Sequence, residues 1–597
     1  MLSLAGMALS TGIWTYNTPC THSSTMGNSN PLARLCNPKL ARQITILVAD
    51  FEEAELENYR VTYTILNNLK LATAEYSDVR VKALGRTITE EDGSEVARKL
   101  GQKHNAAIVL WGWYDKTETT VPLSVNFEVL AKPKYFPELE ATARGQIRRF
   151  AAAELEDQQI HIQVSREMSY LTLVTLGLSR YAAKDWDGTI DLLTDALEQD
   201  TPKESALNRA AVHFYLGNAY DYKGAERKAI ADYTRAIELD LDYTAAYYNR
   251  GIAYGKQEEY EKAISDFNRL IELDPNDVGA YYNRGLAYDY KQEYEKAIAN
   301  YTRALRLNPY DVGVYYNRGL AYRKQKEYEK AISDFNRLIE LDPNFPSAYY
   351  NKGHTYLYKE EYEKAIANYT RTLEIDPEFA NAYHWRGYAY NDMGEYEKAI
   401  TDYTYALKID SNNEKLYYFR GLTYTNLDEY EKAISDYNRA IELDPDYAGA
   451  YNNRGNVYRN LEEYEKAIAD YNRALEIDPN DVWAYHHRGD TYLKQEKYDL
   501  AIADYTHALE LDPNDAHLHA HRCDAYSHLK EYEKAIVECD SAIELNPDYD
   551  WVYSIRGQVY ARQDNTQKAK ADFQKALELT NDRELTQEIE QQLQELQ

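Results

Sequence analysis

Cysteine is scarce. Four copies in 597 residues exclude a disulfide framework. Positive charge is in deficit, with 68 Lys and Arg against 98 Asp and Glu and a net charge of −30. Such a surface repels a phosphate backbone, so nucleic acid is excluded as a main partner. Long apolar runs are missing too. The most apolar stretch near the start, LSLAGMALSTGIWTY (2–16), spans ~22 Å as a helix, short of the ~30 Å hydrocarbon core. It has no basic n-region of the kind a signal peptide carries. It reads as a disordered or surface-docked tail, with a membrane-anchor remnant as the alternative. Cys20 and Cys36 follow it and read as free thiols, a bridge between them requiring an oxidising compartment.

The motifs that carry chemistry are absent from the sequence: no phosphate-cradling glycine loop, HExxH, CxxC, GxSxG or Asp-rich calcium loop occurs. Gly85, Gly93, Gly101, Gly112 and Gly145 are too dispersed for a dinucleotide turn. No cofactor and no metal is therefore expected, and catalysis is not expected either. Histidines gather at His486, His487, His507, His517, His519, His521 and His528. His487 and His521 share one repeat position and so stand ~10 Å apart, the spacing of packed helices. That is too far for one ion, and the group reads as a polar groove lining, with His519 and other neighbours left open.

What is abundant is tyrosine, with 59 copies, and it recurs in register. AYYNRGIAYGKQEEYEKAISDFNRLIELDPNDVG (246–279) is followed by two near-copies at 280–313 and 314–347, a period of 34 residues. Such a period means stacked helix pairs. Glycine recurs from Gly217 to Gly557 and an alanine twelve residues later from Ala229 to Ala569, small residues that let two helices approach. Tyr247, Gly251 and Tyr254, then Tyr260, Ile264, Phe267 and Ile271, keep helical spacing and predict two amphipathic helices per unit. Asp274-Pro275-Asn276 ends the second helix and offers a cap to the next one. Acids of the EEYEKAI type open the second helix, where the macrodipole favours them.

Gly and Tyr three apart, followed by Tyr, Ala, Tyr or Phe, Ala and Pro at fixed offsets, resemble the tetratricopeptide (TPR) repeat. About twelve units run from 169 to 580. The eleventh puts Cys523 at the glycine position and Cys539 at the aromatic one, while Leu270 and Leu338 replace the second alanine and Leu241, Ser411 and Asn581 replace the turn proline. These departures are expected to loosen local spacing without changing the fold. Residues 581–597 hold Leu585, Ile589, Leu593 and Leu596 on one face and read as a capping helix.

Residues 44–150 lack the period. Strands are predicted at 44–51, 79–84, 106–114 and 121–130 and helices at 58–71 and 93–104, a βαβαββ order. ADFEE, a helix, a VxVxxL strand and GSEVARKLGQKHNAAIVLWGWY look like the amino-terminal α/β domain of TolB, a resemblance that implies an interaction module. The expected organisation is thus mainly α: a tail (1–43), a small α/β domain (44–150), a linker (151–168), a TPR α-solenoid superhelix (169–580) and a cap (581–597).

The resemblance implies that first helices line a groove and that the residue two before the glycine faces it. That residue is Asn249, Asn283, Asn317, Asn351 and Asn453. An exposed amide there pairs with both N–H and C=O of an extended backbone. With ~10 Å between repeats and ~3.3 Å per ligand residue, one Asn meets about every third residue. Tyr248, Tyr282, Tyr316, Tyr350 and Tyr418 lie one position earlier and divide between recognition and packing. Tyr247, Tyr281, Tyr315, Tyr349 and the tyrosines three after each glycine read as core. Trp385 and Phe419 interrupt the Asn run and form an apolar hot spot. Tyr also occupies the place of the lysine with which some TPR domains clamp a carboxylate, so that use is not expected.

Residues 1–160 carry 17 Lys and Arg and 19 Asp and Glu, a net of −2, so −28 falls on the rest. The reading is a non-enzymatic scaffold or adaptor for a protein or peptide partner, neutral or basic. One alternative is an enzyme built around Asp50, Glu52, Glu53 and His104, with the repeats recruiting substrate. Another is an assembly factor tethered to a membrane through residues 2–16.

Overall fold

The computed structural model describes residues 44–50, 52–53, 66, 69–70, 79–88, 93–104, 106, 108–114, 123–129, 160–164, 168–198 and 206–596. Residues 2–16, Cys20 and Cys36 lie outside them. The chain divides into two compact units, residues 1–317 and 318–597, each taken here by itself.

The first unit begins with a sheet of β1 (Ile44–Asp50), β2 (Glu52–Glu53), β3 (Val79–Thr87), β4 (Ile108–Tyr114), β5 (Leu123–Val129) and β6 (Ile160–Val164), in the order β3-β1-β4-β5-β6, with β2 beside β4. β1 runs parallel to β3 and β4, whereas β4 with β5 and β5 with β6 are antiparallel. The strands explain their own burial. ITILVAD has no polar alternation, and both faces of β1 are covered, as in parallel sheets generally. Ile46 and Val48 join Leu69, Leu110, Tyr170 and Val174 in one core. Ala49 and Val109 join Ile88 and Ala97, the latter on α1 (Gly93–Lys103), in another. Residues 151–168 are not a plain linker. IHIQV alternates apolar and polar side chains, and pairs with β5 as a sixth strand.

Helix pairs then run from Met168–Ala182 with Trp186–Glu198 to Asp550–Arg562 with Thr566–Leu579, twelve among the described residues. Within each unit, successive first helices touch, as Thr244–Lys256 touches Val278–Tyr290 and Val482–Lys494 touches Ala516–His528, so each unit carries its own wall of first helices. From the second pair on, wherever the position is glycine, an aromatic ring fills its side-chain space; Gly177 of the first pair faces Leu193 instead. A Cβ on Gly251 would stand 2.8 Å from Phe267 and one on Gly489 2.7 Å from Tyr505. Ala229, Ala263, Ala331 and Ala467 have no exposed surface, consistent with close helix approach.

Cys523 and Cys539 do not loosen their pair. They form a disulfide across the same sixteen-residue interval, with Cα atoms 5.4 Å apart, so a covalent bond stands where pairs such as that of Gly489 and Tyr505 pack glycine against a ring.

The turn inside each pair needs a left-handed residue, which the spacing did not reveal. Gly224 and Gly394 supply it with φ of +71° and +75°; elsewhere the residue is Glu258, Gln292, Glu360, Asp428, Glu462 or another polar side chain with φ near +60°. Between pairs, the capping side chain is one residue later than Asp274-Pro275-Asn276 suggests. Asp277 accepts from the Ala280 N–H at 2.8 Å, and Asp274 closes an Asx turn on the Asn276 N–H at 2.9 Å. Several first helices instead start on an aromatic residue, such as Tyr243, Phe379 or Tyr447, with no side-chain cap. A final helix, Arg583–Glu595, buries Ile589 and lays Leu585, Leu593 and Leu596 against the last pair.

Candidate functional site

The wall of first helices carries its polar side chains in an ordered row. Asn283 is only 4% exposed; its Nδ2 donates to the Tyr248 hydroxyl one repeat back at 3.0 Å and to the Gly279 carbonyl at 2.9 Å. Asn317 repeats this on Tyr282 and Gly313, at 2.8 and 3.0 Å, and Asn453 donates to Tyr418 at 2.8 Å. Asn249 donates to Asn218 Oδ1, which the Tyr233 hydroxyl also reaches, both at 2.8 Å. Asn351, 6% exposed, donates to the Ser347 carbonyl and accepts from Arg323 at 3.0 Å. These amides are therefore not the freely exposed groups the sequence suggests, because the tyrosine of the preceding repeat lies within reach. Among the described residues, nothing donates to the amide oxygens of Asn283 and Asn317, which keep an acceptor spare.

The tyrosines divide by position. Tyr282 is buried, while Tyr248, Tyr316, Tyr350 and Tyr418 are half-buried. Tyr281, Tyr315 and Tyr349 are half-buried too, outside the core in which they were expected, because the adjacent arginine keeps that side of the helix polar. The Arg284 guanidinium lies over Tyr281 at 5.4 Å, and Arg250 lies over Tyr247 and Tyr254 at 5.6 and 5.9 Å. The rings facing the glycines, Tyr301, Tyr369, Tyr403, Tyr437 and their equivalents, are fully buried, as are Tyr181 and Tyr215 in the first two pairs.

Those arginines form a feature that the sequence reading overlooked. Arg250 donates from Nε and Nη2 to both oxygens of Asp266, at 2.9 and 2.7 Å, and from Nη1 to Thr234 of the preceding pair at 3.0 Å. Arg386, Arg420, Arg454 and Arg488 repeat the clamp on Asp402, Asp436, Asp470 and Asp504. Each clamp ties three helices together. Burial pulls the Asp266 carboxyl upward while Arg250 pulls it down, and the bidentate geometry satisfies both charges. The signal was an Arg before most of the glycines, with an Asp or Asn before the facing aromatic.

Trp385 and Phe419 are brought together through intermediaries. His384 stacks on Trp385 with ring centres 4.9 Å apart and lies 5.1 Å from Phe419; Tyr388 lies 5.6 Å from Trp385 and 6.1 Å from Phe419. Burial holds the His384 imidazole down at about 4, with Lys415 adding to the effect. The result is a neutral aromatic patch where the Asn row stops.

Repeat-family profiles match along this array. "TPR repeat" matches residues 353–394, 387–428, 421–461 and 455–496, and "Tetratricopeptide repeat" matches 244–277, 278–311, 312–345 and 482–515. Further tetratricopeptide profiles match 210–243, 335–367, 517–549 and 552–583. The chain is a tetratricopeptide repeat protein.

No curated relative matches the chain. Among solved structures it is similar to a TPR protein from Parabacteroides merdae, at 22% identity over 42% of this chain and 98% of that one, TM-score 0.35. It is also similar to yeast Tom70, at 19% identity over 72% and 95%, TM-score 0.32. A third is YrrB, described as a TPR protein with an unusual peptide-binding site, at 24% identity over 32% and 97%, TM-score 0.28.

In the TPR array the histidines do not meet as their repeat positions suggest. His521 approaches His486 rather than His487, with ring centres 5.0 Å apart. His519 is held by Glu538 at 2.7 Å, and His507 and His528 bond carbonyls on their own helices. In the sheet domain, Asp50 ends β1, Glu52–Glu53 form β2, and His104 follows α1 with its side chain exposed. Among the described residues, no helix is long and apolar enough to cross a membrane.

Proposed function

We propose that the protein is a non-enzymatic scaffold whose wall of first helices holds an extended segment of a partner protein. The observation that carries this reading is the spare acceptor on Asn283 and Asn317: both amides are fixed by the preceding tyrosine, and their carbonyl oxygens repeat at the TPR interval. Such pre-ordered acceptors suit the N–H groups of an extended backbone. Within the second unit, the Trp385–His384–Tyr388–Phe419 patch offers an apolar contact of its own. The excess of acid in the array favours a neutral or basic segment, mainly by speeding encounter. Residues 44–150 act on this reading as a second interaction module, in keeping with their resemblance to the TolB amino-terminal domain.

The test is selection of peptides from a displayed library on the whole chain. Neutral or basic extended peptides are expected, and Asn317→Leu and Trp385→Ala should each weaken their binding severalfold. Binding that survives both substitutions in a variant with an unchanged melting profile overturns the groove. Enriched peptides that are acidic overturn the charge preference alone.

A further inference from the structure

One stretch of the first-helix wall departs from the pattern in three places at once. Elsewhere a tyrosine three before the glycine faces an asparagine of the next repeat, thirty-five residues on, as Tyr248 faces Asn283 and Tyr418 faces Asn453. Around Gly489 these two positions are His486 and His521, and the residue after the glycine, Ile252, Leu286 or Leu320 elsewhere, is Asp490. The interlock geometry therefore brings two imidazoles and a carboxylate together. His486 Nε2 lies 3.6 Å and His521 Nδ1 3.5 Å from Asp490 Oδ1, and the three atoms all lie within 4.8 Å of one another. Both imidazole nitrogens are buried and make no hydrogen bond in the structure. Removing two such atoms from water without a partner is costly, so the arrangement suits an electrophile held between them.

We propose that His486, Asp490 and His521 bind one divalent transition-metal ion of the zinc type. Around a tetrahedral ion with bonds of about 2.1 Å, ligand atoms stand about 3.4 Å apart, close to the separations of the two imidazole nitrogens from Asp490 Oδ1. Two imidazoles and one carboxylate suit zinc, cobalt, nickel or copper and not calcium or magnesium. His486 and Asp490 are one helical turn apart on Val482–Lys494 and His521 is on Ala516–His528, so the ligands sit on packed helices rather than loops. Asp490 is oriented from both sides. Its Oδ2 accepts from Arg459 at 3.1 Å and its Oδ1 from the Tyr505 hydroxyl at 2.8 Å, the outer contacts that ligating carboxylates commonly have. Asp490 Oδ1 has a second lone pair for the ion, so the Tyr505 bond stays in place when the ion binds. Three protein ligands leave a position for water or for a group of a bound chain. His487, His517 and Asp524 complete the polar surroundings.

The test uses the whole chain, untagged, stripped with chelator and with Cys20 and Cys36 alkylated. Titration with Zn²⁺ should give one equivalent bound, and Co²⁺ should give the intense visible bands of a tetrahedral site. His486→Tyr with His521→Asn restores the pair used elsewhere in the array and so keeps a packing the fold already tolerates. It should lower affinity at least fiftyfold and abolish the cobalt bands, as should Asp490→Asn. His507→Gln should change neither. Absence of stoichiometric binding, or binding and bands unchanged in the restored-pair variant, overturns the site.

Discussion

Gly285 lies so close to Tyr301, sixteen residues on, that a Cβ built on the glycine would stand 2.7 Å from the ring. The contact is the knob of the helix pair: the ring is fully buried, and Asn300 Cβ lies 3.3 Å from the same point.

Gly285→Ala therefore gains helix propensity of up to about 1 kcal/mol but forces the ring outward, at about 1–3 kcal/mol. A net loss of about 1–2 kcal/mol is expected in urea melts. Hydrogen exchange should place the damage in that pair and its neighbours, because repeat stability is nearly a sum of local terms. Chain-wide loosening would refute that locality.

The Arg454–Asp470 clamp predicts an asymmetric pair of substitutions. Asp470→Ala leaves a guanidinium, 17% exposed at its side chain, without its carboxylate and should cost about 3 kcal/mol. Asp470→Asn should cost about half of that or less, because Arg284 already lives with Asn300, donating from Nε at 2.8 Å. Equal losses for the two variants, read from denaturant midpoints, would refute this and show that an amide of the same shape cannot replace the charge.

The left-handed turn residues predict gains. Glu462 holds φ of +59° without being glycine, and a left-handed L-residue is strained by about 1 kcal/mol. Glu462→Gly should raise stability by up to about 1 kcal/mol, and Gly394→Ala should lower it by a similar amount. Opposite signs in a thermal-shift comparison support the assignment; matching signs refute it.

Alkaline pH should unfold the array through its buried phenols. Burial pushes the Tyr369 hydroxyl well above the ordinary value of 10.0, and that hydroxyl has no hydrogen-bond partner in the structure. The folded chain thus holds its proton more tightly than the unfolded chain. The associated stability is whole below pH 10 and is lost above it, at about 1.4 kcal/mol per pH unit for each such group. Tyr369→Phe should leave stability at pH 7 within about 1 kcal/mol of the parent, as Phe335 occupies the same position in the preceding repeat, and should flatten the alkaline loss. Tyrosinate absorbance followed against unfolding measures both.

How much of this was legible beforehand follows from what periodicity encodes. Recurrence of Gly251, Ala263 and Phe267 at 34-residue spacing identifies which residues repeat, and the small and apolar ones can go only inside, so the helix pairs and their close contact were readable. Recurrence does not say what a polar residue faces. Asn283 was read as an exposed ladder rung because Tyr248, thirty-five residues away, is its neighbour only after stacking. Arg454 and Asp470, and Cys523 and Cys539, were likewise visible as repeated or substituted positions and invisible as pairs. His486 and Asp490 escaped for the same reason: comparing like positions matches His487 with His521, whereas packing offsets neighbouring helices by one residue. Ile160–Val164 was missed because a five-residue alternation after an irregular stretch is a weak signal by itself.

The bond between Cys523 and Cys539 gives the array one element that responds differently to force. Clamps such as that of Arg454 on Asp470 recur in most repeats, so a chain pulled from its ends yields them in succession and releases each repeat's full contour. The eleventh repeat is the exception. Its sixteen-residue interval stays closed until the bond is reduced, hiding about 50 Å of extended chain that an optical tweezer would record as one short step among longer ones.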